Sequence, residues 1–508
     1  MNLIEKTIHA IAPGWAVQRQ KARLQTEMME SVTQTEPQYV GADKQRRGMK
    51  SWLPRLLSAN LENTEAPTLV ARSRDLYRNN SLVRSAINTT TTNVIGSGLK
   101  HKCAIDADFL GMSDEEADAW ERVVEREFKF WCKKEHCDAA ATLDFNGLQA
   151  LAFLSTLQSG DVFATLPFIR RNNSPYALKV QLIEADRVCN KSNAMDTDQL
   201  SGGIETDIYG APVAYHVMKT HPNGFDMKWE WVRIPAFGRK SGRRNVIHLF
   251  KTERPGQNRG LPFVAPIIED LNLLGKYNKA ELMAAVVSGM FTAFITTESG
   301  EGLSTLLTPE NDGNAGSAPA DEISMGYGAI VDLAKGENVN IANPGRPNPQ
   351  FDMFVTAISR RIGAALEIPY ELLIKHFTAS YSASRAALLE AWKFFKMRRQ
   401  WVADNFCQPI YDEWLAEAVA NGRISAPGFF DDPIIRAAYS KCEWIGPAQG
   451  QIDPVKETKA AEMKINNDLS TRAHETAAIG GDWEANHRQR VKEERMRREN
   501  GLVDNTVL

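Results

Sequence analysis

The chain has 508 residues, too many for one simple core, and its 43% hydrophobic and 24% charged residues are the balance of an ordinary globular protein. A formal net charge of −3 excludes a protein whose main work is gripping phosphates, which needs a dense basic surface, but not a channel along which nucleic acid slides. Six cysteines (Cys103, Cys132, Cys137, Cys189, Cys407, Cys442) are too few for a disulfide framework and point to folding in a reducing cytosol. The first residues lack the apolar run and cleavage site of a signal peptide. The longest apolar stretch, 282–295, is broken by Ser288, Gly289 and Thr292 and falls short of the roughly 20 residues a bilayer requires, so no membrane segment is expected.

In chain order, the first 60 or so residues are polar and form an arm. Residues 67–95 carry helical periodicity with a break at Asn79-Asn80-Ser81, and Gly96-Ser97-Gly98 ends the unit. Helices follow at 113–133 and 144–159, the second closing at Gly160. Strand signals then take over at 161–169, 177–183, 203–207, 212–218 and 245–250, with a hairpin turn at 170–175. Residues 1–262 thus read as an α+β part. A long helix rich in Ala, Gly, Ser and Met is expected at 266–294, a Gly/Ser/Pro-rich segment at 298–320, short strands at 328–333 and 339–341, and a helix at 351–367 stopped by Pro369. A further helix at 384–422 is interrupted near Pro409, and a polar, partly helical tail begins at Asp453. The chain shows no internal repeat.

The motifs that could carry chemistry are weak. Cys132, His136 and Cys137 lack the second half-site a zinc centre brings, so core packing explains them better. Gly238-Arg-Lys-Ser-Gly-Arg-Arg244 lacks the spacing of a phosphate loop and reads as a solvated basic turn, and Gly96-Ser-Gly98 is too short for a dinucleotide fingerprint. His216 and His221 have core or turn roles by default. Asp114-Glu-Glu116 and Asp431-Asp432 precede helices, where the N-terminal dipole accounts for them. No catalytic constellation emerges. The helix at 266–294 has two readings on composition alone, the core of a large enzyme domain or a close subunit contact made through Ala280, Ala284, Ala285, Ser288 and Gly289.

The most informative stretch is 377–396, where a small, hydroxyl-rich loop runs into a helix of strong formers, with Ser384 as the expected cap and Ala386, Ala387, Leu388, Leu389, Ala391 and Trp392 as propensity and apolar face. With the helix before it, the block is helix, short loop, helix.

This block, in company with others, resembles the lambda-type family of tailed-bacteriophage portal proteins. The blocks are Ala12-Pro-Gly-Trp-Ala16, Arg72-Ser-Arg-Asp-Leu-Tyr-Arg-Asn-Asn80, Asn93-Val-Ile-Gly-Ser-Gly98, Leu182-Ile-Glu-Ala-Asp-Arg187, Gly203-Ile-Glu-Thr-Asp207 and Ala214-Tyr-His-Val217. Arg254-Pro-Gly-Gln-Asn-Arg-Gly260 is the most diagnostic, followed by Ser380-Tyr-Ser-Ala-Ser-Arg-Ala-Ala-Leu-Leu-Glu390, Trp444-Ile-Gly-Pro447, Ile452-Asp-Pro-Val-Lys-Glu457 and Gly480-Gly-Asp-Trp483. Their order and spacing, over nearly the whole chain, carry the likeness.

The resemblance implies an α+β, predominantly helical portal fold built as a dodecameric ring of wing, stem, clip and crown around a DNA channel. Carried onto this chain it makes 1–262 the arm and wing, 263–294 and 346–367 the stem helices, 295–345 the clip, 368–383 the tunnel loop and 384–508 the long helix and crown. Lys375, His376, Thr378, Ser380, Tyr381 and Ser382 become the candidate channel-loop residues, and the small residues of 266–294 become subunit contacts. Implied partners are other copies of the chain, the terminase large subunit, major capsid and scaffolding proteins, head–tail connector proteins and double-stranded DNA in transit. No membrane and no cofactor is expected, and the location is the virion after assembly in the host cytoplasm. The implied protein is no enzyme, since ATP hydrolysis belongs to the motor. A packaging enzyme would need a Walker loop or metal-spaced carboxylates, and another connector component would be a shorter chain.

Overall fold

The computed structural model describes residues 21–22, 24–26, 43, 46–225, 229–289, 293–297, 337–341, 350–377, 380–450 and 453–502. The chain divides into two units, Met1–Ser58 and Ala59–Leu508. The described part of the first includes helical residues 21–22 and 24–26 and a turn in which the Met49 and Lys50 amides bond to the Arg46 carbonyl. The rest of the architecture is the second unit's.

Local signals set its first helices. Helices Ala66–Asn79 and Ser81–Val94 meet at Asn80, whose side chain accepts from the Leu82 and Val83 amides and caps the second. Ser113 and Glu116 form a reciprocal capping box at the head of helix Asp114–Trp131. Asp144 caps helix Phe145–Ser159, which ends at Gly160 with φ +88°.

Seven of the described strands form two antiparallel sheets. Strand β2 (Asp161–Thr165) lies between β3 (Gln181–Glu184) and β8 (Val246–Phe250). The second sheet runs β4 (Leu200–Ser201), β5 (Ile204–Thr206), β6 (Pro212–Met218) and β7 (Trp231–Pro235). The expected hairpin is present, but β2 is shorter than the 161–169 expected: Pro167 has no amide hydrogen for the ladder, and pairing resumes only as the bridge Phe168–Leu178. A small apolar core of Phe163, Ile183, Val188, Ile204, Tyr215, Val217, Ala236 and Val246 fills this region.

The larger core is helical and aromatic. Phe128 lies 4.9 Å from Trp414 and 5.3 Å from Tyr411, ring centre to ring centre, and all three are buried. Strand β1 (Lys100–Cys103) pairs antiparallel with β11 (Cys442–Ile445), joining early chain to late.

Three helices also differ from expectation in their bounds, and one expected interruption takes a specific form. The helix expected over 266–294 is Ile268–Gly289, and residues Ala293–Thr297 form strand β9, paired antiparallel with β10 (Glu337–Ile341). The Phe294-Ile-Thr-Thr297 run is aromatic and β-branched, which suits a strand once a partner is present. Helix Phe351–Ala365 stops two residues early, because Glu367 turns left-handed (φ +56°) and the Ile368 amide bonds back to the Gly363 carbonyl. Helix Tyr381–Val402 begins three residues before the expected Ser384, with Ser380 as its cap. Nothing between 380 and 384 breaks a helix, so the earlier hydroxyl takes the role. The interruption near Pro409 is a widened π turn, Ala403–Cys407, after which helix Gln408–Ala420 continues. The expected segments 298–320 and 328–333 lie outside the described residues.

Candidate functional site

The helix–loop–helix block rests on a clamp. Helix Tyr370–Ile374 follows Pro369 and buries Leu373. The Ser85 hydroxyl donates to the Leu373 carbonyl at 2.7 Å, fastening this turn to helix Ser81–Val94. Lys375 then takes a left-handed backbone (φ +57°), and its amide and that of His376 both return to the Glu371 carbonyl. The chain is thereby turned away from the core, and Lys375, His376 and Phe377 are exposed. Ser380 is exposed and accepts from the Ala383 amide. Tyr381 and Ser382 belong to the first turn of the long helix rather than to the loop, and Thr378 lies outside the described residues.

Behind the loop, the long helix is held by Arg399. Its guanidinium donates to the Asn93 and Val94 carbonyls, the unsatisfied end of helix Ser81–Val94, and to the Pro447 carbonyl at 2.8 Å. Sequence blocks 93–98 and 444–447 therefore meet on one arginine. Their glycines are small for that reason. A Cβ on Gly446 would lie 2.3 Å from the Arg399 Nε, and one on Gly96 would lie 2.5 Å from Pro447 Cγ.

The Arg254–Gly260 block is explained the same way. Arg259 donates to the Asp161 carboxylate and to the Val188, Gly202 and Ala185 carbonyls, tying both sheets together. Gln257 accepts from the Glu253 and Arg254 amides and donates to the Arg259 carbonyl. A Cβ on Gly260 would stand 2.1 Å from the Gly160 carbonyl oxygen. Burial alone would raise the Asp161 carboxyl, but the Arg259 charge and the hydrogen bond from His248 outweigh it and hold the pKa at about 2. Burial lowers His248 despite that carboxylate, so the neutral imidazole is the donor.

On helix Ile268–Gly289, Leu271 and Leu274 are buried at the base. Farther along, Ala280 and Ala285 are exposed and Ala284 is half-buried, while the surroundings of Ser288 and Gly289 lie outside the described residues. The helix leaves Leu282 (68% exposed), Met283 and Val286 open, and helix Phe351–Ala365, which packs on it through Tyr277, Phe351 and Phe354, leaves Met353 open.

The remaining motifs are structural. Cys137 donates to the Cys132 carbonyl, His136 stacks on Phe130 at 4.3 Å, and burial pushes the Cys137 thiol up to about 12. Arg243 pairs with Glu413 and lies over the Phe168 ring, while Arg239 and Lys240 are exposed. His216 bonds to Glu205, and Asp432 caps helix Pro433–Ser440. Glu184, Asp186 and His221 are the one group among the described residues whose three ligating atoms lie within 4.8 Å. Separations of 35 residues and more hid it from the sequence, and Arg74 already pairs with Asp186 at 2.6 Å.

The sequence of the chain falls in a known class. The profile described as phage portal protein, lambda family, matches residues 45–399. The chain belongs to that family. It is 26% identical to portal protein B of Escherichia phage lambda over 476 residues, covering 89% of this chain and 88% of that one. It is also 26% identical to the portal protein of Escherichia phage N15 over 450 residues, covering 85% and 84%. Among solved structures it is similar to a chain in the neck of a native GTA particle computed with C12 symmetry (TM-score 0.43, 11% identity, 82% of this chain and 94% of that one). A chain in the virion of a native gene transfer agent particle is comparable (TM-score 0.43, 13% identity, 85% and 94%). No helix among the described residues is long and apolar enough to cross a membrane.

Proposed function

We propose that this portal protein works as a closed ring of copies, twelve on the family's pattern, set at one capsid vertex as the passage through which double-stranded DNA is packaged and ejected. The observation that carries the ring is the apolar face made by Leu282, Met283, Val286 and Met353, exposed in the single chain on helices whose bases are buried. A patch of that kind marks a protein contact. Ala280 and Ala285 beside it allow a close approach, and the same argument extends along the helix to Ala284, Ser288 and Gly289.

In this reading 1–262 is arm and wing, 263–294 and 346–367 the stem, 295–345 the clip, 368–383 the tunnel loop and 384–508 the long helix and crown. The terminase large subunit docks at the clip and supplies ATP hydrolysis. The major capsid and scaffolding proteins assemble around the ring, and head–tail connector proteins seat on it later, in the host cytoplasm. The portal itself has no ATPase or nuclease activity. Lys375, His376 and the hydroxyls of Thr378, Ser380 and Ser382 meet the duplex weakly, because each neutralised phosphate adds binding free energy that transport must overcome.

Native mass spectrometry of the purified chain tests this. A closed ring is expected, and Ala285→Leu should weaken it by about 1–3 kcal/mol per subunit contact through overpacking, while the melting temperature of dissociated subunits stays unchanged. A chain that remains monomeric at high concentration and low salt overturns the ring.

A further inference from the structure

Where the two apolar-faced helices join the body, the chain leaves a buried charge unanswered. Arg398, on helix Tyr381–Val402, is 8% exposed, and its buried Nε has no hydrogen-bond acceptor. Its contact is with the Phe394 ring, 5.3 Å from guanidinium carbon to ring centre. Among the described residues, no carboxylate forms an ion pair with it. A cavity of about 390 Å³ lies against it, with apolar walls that include Leu157, Phe263 and Trp401, and with the exposed Lys251, Glu253 and Glu367 also lining it. Lys251 is taken by Glu253 at 3.0 Å. Glu367, from a left-handed backbone position, and Glu253 act on the guanidinium only through space.

A buried guanidinium without an anion is costly, and removing water from it is repaid only by a well-placed partner. We propose that this cavity receives the carboxylate of an acidic side chain from an adjacent copy of the chain, which closes on the Arg398 guanidinium as a two-point hydrogen-bonded pair. The inference rests on the ring reading and extends it to a specific charged contact. Three observations choose this occupant. The cavity lies at the body end of the two helices that carry the proposed subunit face, since Phe263 precedes helix Ile268–Gly289 and Ala365 ends helix Phe351–Ala365. Its walls are mostly apolar and suit the methylene stem of Asp or Glu. The two acidic groups beside it, Glu253 and Glu367, repel a doubly charged phosphate far more than a singly charged carboxylate.

The experiment compares wild type, Arg398→Met and Arg398→Lys as full-length protein, measuring ring formation by native mass spectrometry across concentration and folding by thermal melting of the dissociated chain. Arg398→Met should melt at the wild-type temperature or above, because it removes an unpaired buried charge, yet raise the concentration for half-assembly at least tenfold. Arg398→Lys keeps the charge and the fold but loses the planar fork, and should raise that concentration about threefold or more. Rings of both variants forming at wild-type concentrations overturn the inference while leaving the ring itself intact. A wild type that never assembles overturns the ring reading instead. Melting of the dissociated wild type in acetate and in inorganic phosphate, at matched ionic strength, supplies the remaining arm. A rise specific to phosphate and absent in Arg398→Met assigns the cavity to a free anion and overturns the subunit contact.

Discussion

Single residues set how rigid the frame around the loop is. Arg399 satisfies the Asn93, Val94 and Pro447 carbonyls, so Arg399→Leu should lower unfolding free energy by roughly 2–4 kcal/mol, read from urea denaturation. Gly446→Ala should cost a smaller amount, about 1–3 kcal/mol, because the guanidinium must move aside by more than its packing allows. Equal stability of both variants with wild type removes the clamp from the account. Asp161 makes a pH prediction. Its carboxyl sits at about 2 in the folded chain against an ordinary 3.8, so the folded state binds its proton more weakly than the unfolded state does. The stability this contributes, on the order of 2 kcal/mol, is present above about pH 4 and is lost as pH falls towards 2. Asp161→Asn should be less stable at neutral pH, where the Arg259 guanidinium loses the carboxylate charge it faces, and should show a shallower loss between pH 4 and 2. An unchanged acid slope counts against the assignment.

Among the elements, the loop has the clearest mechanical test. Deleting residues 376–379 spares the Ser380 cap and the buried Leu373, and the described residues it removes, His376 and Phe377, are exposed. Normal rings and empty shells are expected, with fewer DNA-filled heads, counted by electron microscopy. Rings that fail to form make the loop structural. The same contrast between local and distant determinants governs what the sequence discloses. Helix heads at Asn80, Ser113 and Asp144 are legible because cap and capped amide lie within three residues. Strands β1 and β11 are not, since neither carries a period strong enough to declare itself without the other, and β7 escapes for the same reason. The apolar Ala293-Phe-Ile295 mimics the end of a helix until β10 supplies its ladder. The block around 377–396 announces a loop between helices, yet the residues that hold and flank it, Arg399 and Arg398, look on sequence like ordinary charges in a helix. Their importance comes from carbonyls and a cavity contributed by elements far away in the chain.

For the whole molecule, the C-terminal tail and the body differ in kind. Helices Pro454–Asn466, Arg472–Ala478 and Trp483–Glu499 bury none of their described residues, and Lys102 reaches this tail through Asp482 and Glu484 at 3.9 and 3.1 Å. Such pairs, with the carboxylates open to solvent, are worth about 1 kcal/mol or less each. Truncation after residue 452 should therefore leave the melting temperature of the body within a few degrees of wild type. A collapse of the melting transition would mean that the tail helices belong to the core.

The pairing of β1 with β11 has a consequence in time. His101, wedged among Phe128, Tyr411 and Trp444, reaches its surroundings only when residues some 340 positions later have been made. At translation rates of about 5–20 residues per second, the ribosome holds this chain unfinished for roughly 20–70 seconds after β1 emerges. Closing so long a loop adds on the order of 5 kcal/mol of entropy to the pairing step. Stalled nascent chains ending before residue 440 should accordingly be cut by protease near residue 100, whereas chains stalled beyond 480 should resist. If the chain assembles into the proposed ring, the delay serves it, because neighbouring copies are offered a finished body only after synthesis is almost complete.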